Sequence, residues 1–436
     1  MDDINIIILE KISDKDKLKF LATHKTMCNL QNKIIFTEPV SYENIIGSKY
    51  FHNFTKVKIN QIINIDNNLP KNTKKIYLYK SQTLNNTPIP VTHLRLETSH
   101  MPNIIPNTIT RLTFCYYFNE QIKGLIPNSI THLKFGHNFN QDIIGAIPNS
   151  VTHLKFAHYF NKTIAGAIPD SVIFLKFGNN FNQDIIGAIP NSVTHLRFGY
   201  NFNKSIVGAL SDSLIYLKFA GRFNFCIDYA LPNKLEYLIF GDDFNQKIFG
   251  AIPTTVKKLV LGHDFNQNII GAIPITIKHL VFGKSFNKKI IGAFNHLTHL
   301  THLIFGRDFN QNINNAIPNT VTHLFFGYGF NKSINNAIPK SVTHLVLGKR
   351  FNKSVINNIP NSVSFLALGK FFDQDLCIPN SVTHISFQSL NFCANIYGSD
   401  LKIIIAVTDS YNNRNIYLPK SIKYLSFCGI TITIKN

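Results

Sequence analysis

A Phe-Asn pair recurs every 21 residues through most of this chain, and no other feature restricts the fold as much. It runs from Phe118-Asn119 through Phe139-Asn140 and Phe160-Asn161 to Phe286-Asn287. It takes one step of 23 to Phe309-Asn310 and resumes as far as Phe372-Asp373. A fixed short period means a solenoid, because each unit is too small to bury its own apolar side and does so against its neighbours. The expected fold is a β-rich solenoid of leucine-rich-repeat-like units with a parallel β-sheet on the concave face. The functional question then concerns a surface and not a single cleft.

The unit is plainest between Ile147 and Gly166. Ile147-Pro148-Asn149-Ser150 reads as a turn, since Pro fixes φ and Asn and Ser bond back to nearby backbone. His153-Leu154-Lys155-Phe156 alternates polar and apolar, as a short half-buried strand does. Val151, Leu154, Phe156, Phe160 and Ile164 are expected to point inward and to stack in columns, each burial contributing roughly 1.5–3 kcal/mol. The Asn after each Phe is expected to form a buried ladder. One column reads Gly124, Gly145, Gly166, Gly187 and Gly208, and becomes Asn315, Asn336 and Asn357 in later units. Asn is the side-chain-bearing residue that best tolerates positive φ, so this column is expected to be left-handed. Tyr229 breaks it, and its turn is expected to be distorted. Irregular units begin at Leu69-Pro70, and Ile430–Ile434 reads as a closing strand. The organisation expected is a helical segment over 1–42, a linker and cap over 43–68, and the solenoid over 69–436.

The whole block resembles the FNIP repeat, a family named for its Phe-Asn and Ile-Pro pairs, here Phe139-Asn140 and Ile147-Pro148. The resemblance implies kinship with leucine-rich repeats, occurrence in amoebae and in the large DNA viruses that infect them, and binding in place of chemistry. A second resemblance lies at the start. Ile4, Ile7, Ile8 and Ile12 share one helical face. Ser13 and Asp16 suit a helix start, and Leu18, Leu21 and Ala22 form a second apolar set. This segment is similar to an F-box. The similarity implies docking onto the small adaptor of a cullin–RING ubiquitin ligase through Ile4, Ile7, Ile8, Leu9, Ile12, Leu18 and Leu21. The repeats would then hold the target, making the chain a substrate receptor. The alternative is a plain scaffold whose first thirty residues cap the repeats near Ile59, Ile76 or Leu78.

Two columns are expected to face outward along the strands. One runs through His132, His153, Phe174, His195, Tyr216, Tyr237, Lys258, His279, His302, His323 and His344. The other begins with Lys134, Lys155, Lys176, Arg197 and Lys218 and continues as Ile239, Val260, Val281, Ile304 and Phe325. The second column changes from basic to apolar, which suggests a partner-binding face in two parts, the apolar part being an exposed stripe of the kind that marks contacts. Lysine stems splayed into water and plain β-propensity account for the same pattern.

With 44 Lys+Arg against 24 Asp+Glu, the formal charge is +20 and favours anionic partners. An AT-rich coding bias accounts for part of it. Nucleic acid on the Lys134–Lys218 stripe is a further reading, but that stripe lacks an interleaved aromatic platform. A protein target is therefore expected, and nucleic acid is not. A line of His does not converge as metal ligands must. No nucleophile–base pair, carboxylate dyad or phosphate-cradling loop stands out, so neither enzyme activity nor a cofactor is expected. The six Cys are scattered, without a disulfide or zinc pattern. The run Ile6–Leu9 is too short for a signal core, and no apolar stretch approaches the roughly 18 residues of a membrane helix. These features point to a cytoplasmic or nuclear monomer.

Overall fold

A three-residue strand is enough to mark each turn here, because five side chains behind it do the packing. Val151, Leu154, Phe156, Phe160 and Ile164 are all buried, and so are their counterparts in the regular turns on either side. Two further columns join them, the Ala167 and Ile168 positions. The Phe-Asn phenylalanines form a ladder with ring centroids 6.2 Å apart and rings within 7° of parallel at Phe160–Phe181. The strand-end phenylalanines form a second ladder, 5.4 Å apart at Phe156–Phe177, which also lies 4.2 Å from the first at Phe156–Phe160. Offset aromatic pairs of this kind contribute about 0.5–1.5 kcal/mol beyond their burial.

The computed structural model describes residues 12–23, 34–48, 50–60, 69–80, 91–387, 396–397, 403–409, 412–418, 421–427 and 430–433. They divide into two compact units, 1–199 and 200–436.

The first unit opens with helix α1 (Asp14–Thr23). Its strands are β1 (Val40–Ser41), β2 (Lys56–Ile59), β3 (Lys75–Leu78), β4 (His93–Leu96), β5 (Arg111–Thr113), β6 (His132–Lys134), β7 (His153–Lys155), β8 (Phe174–Lys176) and β9 (His195–Arg197). Each pairs in parallel with the next, in a register that sets Leu against Leu, as at Leu133↔Leu154 and Leu175↔Leu196. Parallel pairing is therefore already present at Val40, ahead of Leu69, where the repeat becomes legible in the sequence.

The second unit continues the pattern with β10 (Tyr216–Lys218), β11 (Tyr237–Ile239), β12 (Lys258–Val260), β13 (His279–Val281), β14 (His302–Ile304), β15 (His323–Phe325), β16 (His344–Val346), β17 (Phe365–Leu368) and β18 (His384–Phe387). The 23-residue step is absorbed before β14. Leu297 and Leu300 are both buried there, and pairing continues at His279↔His302 without a slip. After β18 come β19 (Ile396–Tyr397), β20 (Ile403–Asp409) and β21 (Asn412–Leu418), which form an antiparallel three-stranded sheet. The ladder then resumes with β22 (Tyr424–Phe427), parallel to β18. It ends at β23 (Ile430–Thr433), antiparallel to β22, the closing strand read from the sequence.

The left-handed column is present. Gly166 has φ +65°, and Asn315, Asn336 and Asn357 have φ +55°, +51° and +59°. The expected distortion at Tyr229 is absent. Tyr229 takes φ +56°, and its turn makes the same Ala230 N–H to Ile227 carbonyl bond, 3.1 Å, that Ala209 makes to Ile206 one turn earlier. The stacked neighbours fix the backbone, and the ring, which is wholly exposed, has nothing to collide with. The Asn ladder is also present, but it lies at the surface and is not buried. The Asn119 Oδ1 accepts from the Asn140 N–H at 2.8 Å, and Asn140 serves Asn161 in the same way at 2.9 Å. The turn hydroxyls bond across turns and not locally. The Ser150 Oγ donates to the Ile130 carbonyl at 2.7 Å, and the Ser171 Oγ to that of Val151 at 2.8 Å.

A second glycine column follows the strand, and here the constraint is space. A Cβ on Gly178 would lie 1.5 Å from the Ala157 carbonyl oxygen, although φ there is ordinary. Successive backbones touch at this point, which lets the strand-end Phe ladder close up.

Candidate partner-binding faces

The middle residue of each strand points into the core, so its two neighbours present their side chains on the other side. On the first unit, the C-terminal neighbours are Lys134, Lys155, Lys176 and Arg197, paired in register turn by turn. The three lysines are exposed and Arg197 is half-buried. The stems do not simply splay into water. Lys155 Nζ and Arg197 Cζ lie 5.4 Å and 5.5 Å from the Phe174 ring centroid, one turn below and above it. Cation–π attraction thus draws two like charges over one ring.

On the second unit the corresponding residues are Lys218, Ile239, Val260, Val281, Ile304 and Phe325, again in register. All are half-buried, not exposed as the sequence suggested. At strand spacing each apolar side chain shields the flanks of the next.

The N-terminal neighbours form a histidine ladder in each unit. His132 and His153 stack at 4.2 Å, 8° from parallel. In the second unit, His302–His323 stack at 4.1 Å and His323–His344 at 4.3 Å, each 10° from parallel. The preceding threonine sets the tautomer. The Thr152 Oγ1 donates its single proton to the Thr131 carbonyl, so toward His153 Nδ1, 3.0 Å away, it accepts. Thr322 and Thr343 do the same for His323 and His344. Each of these imidazoles therefore carries its proton on Nδ1 and leaves Nε2 bare.

At His132, His153, His279, His302 and His323 burial favours the neutral ring, with neighbouring cations adding to the effect. His132 is pushed down to about 4 by burial first, then by His153, Arg111, His93 and Lys155. His153, His279, His302 and His323 are lowered in the same direction, burial being the main cause in each. Rings stacked face to face aim their bare nitrogens side by side and not at a common point. Among the described residues, no three His, Cys, Asp or Glu side chains are grouped to hold a metal ion.

At the N-terminus, Ile4, Ile7, Ile8 and Leu9 lie outside the described residues. Ile12 is half-buried ahead of α1, and Leu18 and Leu21 lie within it. The helix starts as read: the Asp16 N–H donates to the Ser13 Oγ at 3.2 Å, and that hydroxyl meets Asp16 Oδ2 at 2.6 Å. What the sequence did not show is how α1 is held. Asp14 and Lys17, both buried, pair at 2.8 Å. The Asp14 carboxylate accepts from the Glu38 N–H at 2.6 Å, and Lys17 Nζ donates to the Ile35 carbonyl at 3.1 Å. Phe36, between those two anchors, bridges to Phe54 just before β2. The threonines that orient the histidines were also missed. Their signal is the recurring Thr-His-Leu, as at Thr152-His153, Thr322-His323 and Thr343-His344, although Lys278 precedes His279.

The family model described as FNIP Repeat matches residues 118–159, 160–201, 202–243, 229–264, 244–285, 265–297, 298–329 and 330–371, together more than half of the chain. Among solved structures, CroV588, described as a novel circular LRR protein, is 37% identical with a TM-score of 0.70. The match covers 87% of this chain and 57% of CroV588, so the chain spans little more than half of that protein's length. The functional domain of InlJ from Listeria monocytogenes is a looser likeness, 11% identical with a TM-score of 0.40, covering 67% of this chain and 72% of that one. No curated protein matches the chain.

Proposed function

From the premise that this chain belongs to the FNIP repeat family, we propose that it is a non-catalytic scaffold that binds a protein target through the outward face of its strands. Leucine-rich-repeat-like solenoids are binding scaffolds as a class, since stacked turns offer a long, rigid surface and no enclosed cleft. The observation that carries the reading is the in-register stripe Ile239, Val260, Val281, Ile304 and Phe325, set beside neutral stacked histidines. A flat, half-apolar strip edged by hydrogen-bond acceptors suits a folded protein surface. Lys134, Lys155, Lys176 and Arg197 would meet acidic groups of a target on the first unit. The test compares proteins captured from cell extract by the full chain and by a Val281→Asp/Ile304→Asp variant of unchanged circular dichroism. Loss of the captured proteins from the variant is expected, and equal capture overturns the assignment.

The finer reading is a substrate receptor of a cullin–RING ubiquitin ligase, acting in the cytoplasm or nucleus. It is supported by the helical spacing of Ile4, Ile7, Ile8 and Ile12 and by the helix start at Ser13–Asp16. Purified adaptor is expected to bind the full chain and not its Ile8→Asp/Leu21→Asp variant. A well-folded full chain that binds no adaptor sinks this reading. The anchoring of α1 by Asp14 and Lys17 favours a second one, in which the helix is a cap on the repeats. Among the described residues, no helix is long and apolar enough to cross a membrane.

A further inference from the structure

Two residues follow the strand-end Phe-Gly or Leu-Gly of these turns, forming a loop column distinct from both strand-face columns. Within the second unit this column changes sign. Asp242, Asp243 and Asp264 stand in two adjacent turns, and the five turns that follow bring Lys284, Arg307, Lys349, Arg350 and Lys370. The turns are locked in step by backbone bonds one turn apart. The Asp308 N–H donates to the Lys284 carbonyl at 2.8 Å, Gly329 to Arg307 at 2.6 Å, Arg350 to Tyr328 at 2.8 Å and Phe371 to Lys349 at 3.1 Å. Four of these five turns therefore carry a cation along a line that advances about 4.8 Å per turn, and Tyr328 stands in the remaining one. A coding bias toward lysine does not account for this, because the same column of the same repeat holds three aspartates just before it.

Arg307, Lys349, Arg350 and Lys370 lie over rings. The Tyr328 ring takes Arg307 from the preceding turn at 5.3 Å and Arg350 from the following turn at 5.2 Å. Lys370 Nζ sits 5.8 Å from the Phe371 ring, which is 49% exposed. The column's cationic stretch contains a single carboxylate, Asp308, 3.8 Å from Arg307. Cation–π contacts fix guanidinium groups without neutralising them, leaving their donors for a ligand. Like charges in a row are unfavourable unless something anionic covers them.

We propose that this column is a docking track for single-stranded nucleic acid, with phosphates on Arg307, Lys349, Arg350 and Lys370 and a base on Phe371. Guanidinium groups match phosphate in a bidentate manner. Cations stacked along the turns beside an exposed aromatic ring are features of sequence-independent strand binding. An acidic peptide would use the charge but not the ring. A second copy of this chain, at +20, is repelled. Asp242, Asp243 and Asp264 bound the track at one end by repelling phosphate.

The test is fluorescence anisotropy of a labelled oligouridylate with the full chain as salt is raised. Arg307→Ala/Lys349→Ala/Arg350→Ala, all outside the core, should weaken binding about tenfold or more and reduce the salt slope by about two. Phe371→Ala should cost about fivefold or more for oligouridylate while leaving inorganic polyphosphate binding unchanged. Asp242→Lys/Asp243→Lys, which extends the track, should tighten binding. The proposal is overturned if the wild type does not bind, if the triple variant binds as the wild type does, or if polyglutamate of equal charge competes as well as oligouridylate.

Discussion

Tyr229 and Gly262 show two ways in which one backbone atom governs a turn. Tyr229 holds a left-handed conformation that costs an L-residue roughly 1–2 kcal/mol, and its exposed ring offers nothing in return. Tyr229→Gly is expected to raise stability by about 1 kcal/mol in chemical denaturation, with Tyr229→Asn gaining less. Gly262 has ordinary φ, but a Cβ there would lie 1.9 Å from the Gly241 carbonyl oxygen. Ala157 and Ala220 occupy equivalent positions, so the ribbon yields locally to a methyl group. A β-branched side chain is larger than that allowance. Gly262→Val should cost well beyond the roughly 1–2 kcal/mol of a left-handed strain, and an unchanged denaturation midpoint would show that successive backbones do not touch there. The first kind of constraint was legible, since a column that exchanges Gly for Asn announces its φ. The second was not, because a close approach between turns leaves only Gly in the sequence, which reads as an ordinary loop.

At the scale of the strand, the histidine ladder ties stability to pH. The folded values lie below the ordinary imidazole value, reaching about 4 at His132. Between the two values the unfolded chain binds more protons than the folded one. The ladder's contribution is therefore full above about pH 6.5 and is lost as pH falls toward 4. The melting temperature is expected to drop from about pH 7 to about pH 5. His302→Phe/His323→Phe should fold, as Phe174 and Phe365 already stand in this column, and should flatten that slope. The same slope in the variant would place the titrating groups elsewhere. The strands themselves were readable from His153-Leu154-Lys155-Phe156, which alternates polar and apolar. Their fastening was not: the Ser150 hydroxyl and the Asn119 amide bond to residues about one repeat away, and such partners are invisible until the turns are stacked. β1 and β2 escaped notice because they pack in the same parallel way without the Phe-Asn pair.

At the scale of the whole molecule, the account is that one 21-residue turn is a complete structural module, contributing one rung to each internal ladder and one residue to each outward column. Stability in such a stack is a sum of unit terms and nearest-neighbour interfaces. The most direct test is to delete one whole repeat from the second unit, residues 310–330, which joins Phe309 to Asn331 and so restores the Phe-Asn pair at the seam. A control deletion of residues 310–320 removes half a turn and throws every later column out of phase. Thermal unfolding followed by circular dichroism should show the whole-repeat deletion melting cooperatively within a few degrees of the full chain, and the half-turn deletion unfolded or aggregated. If the whole-repeat deletion is as damaged as its control, the turns are not interchangeable modules and the account fails.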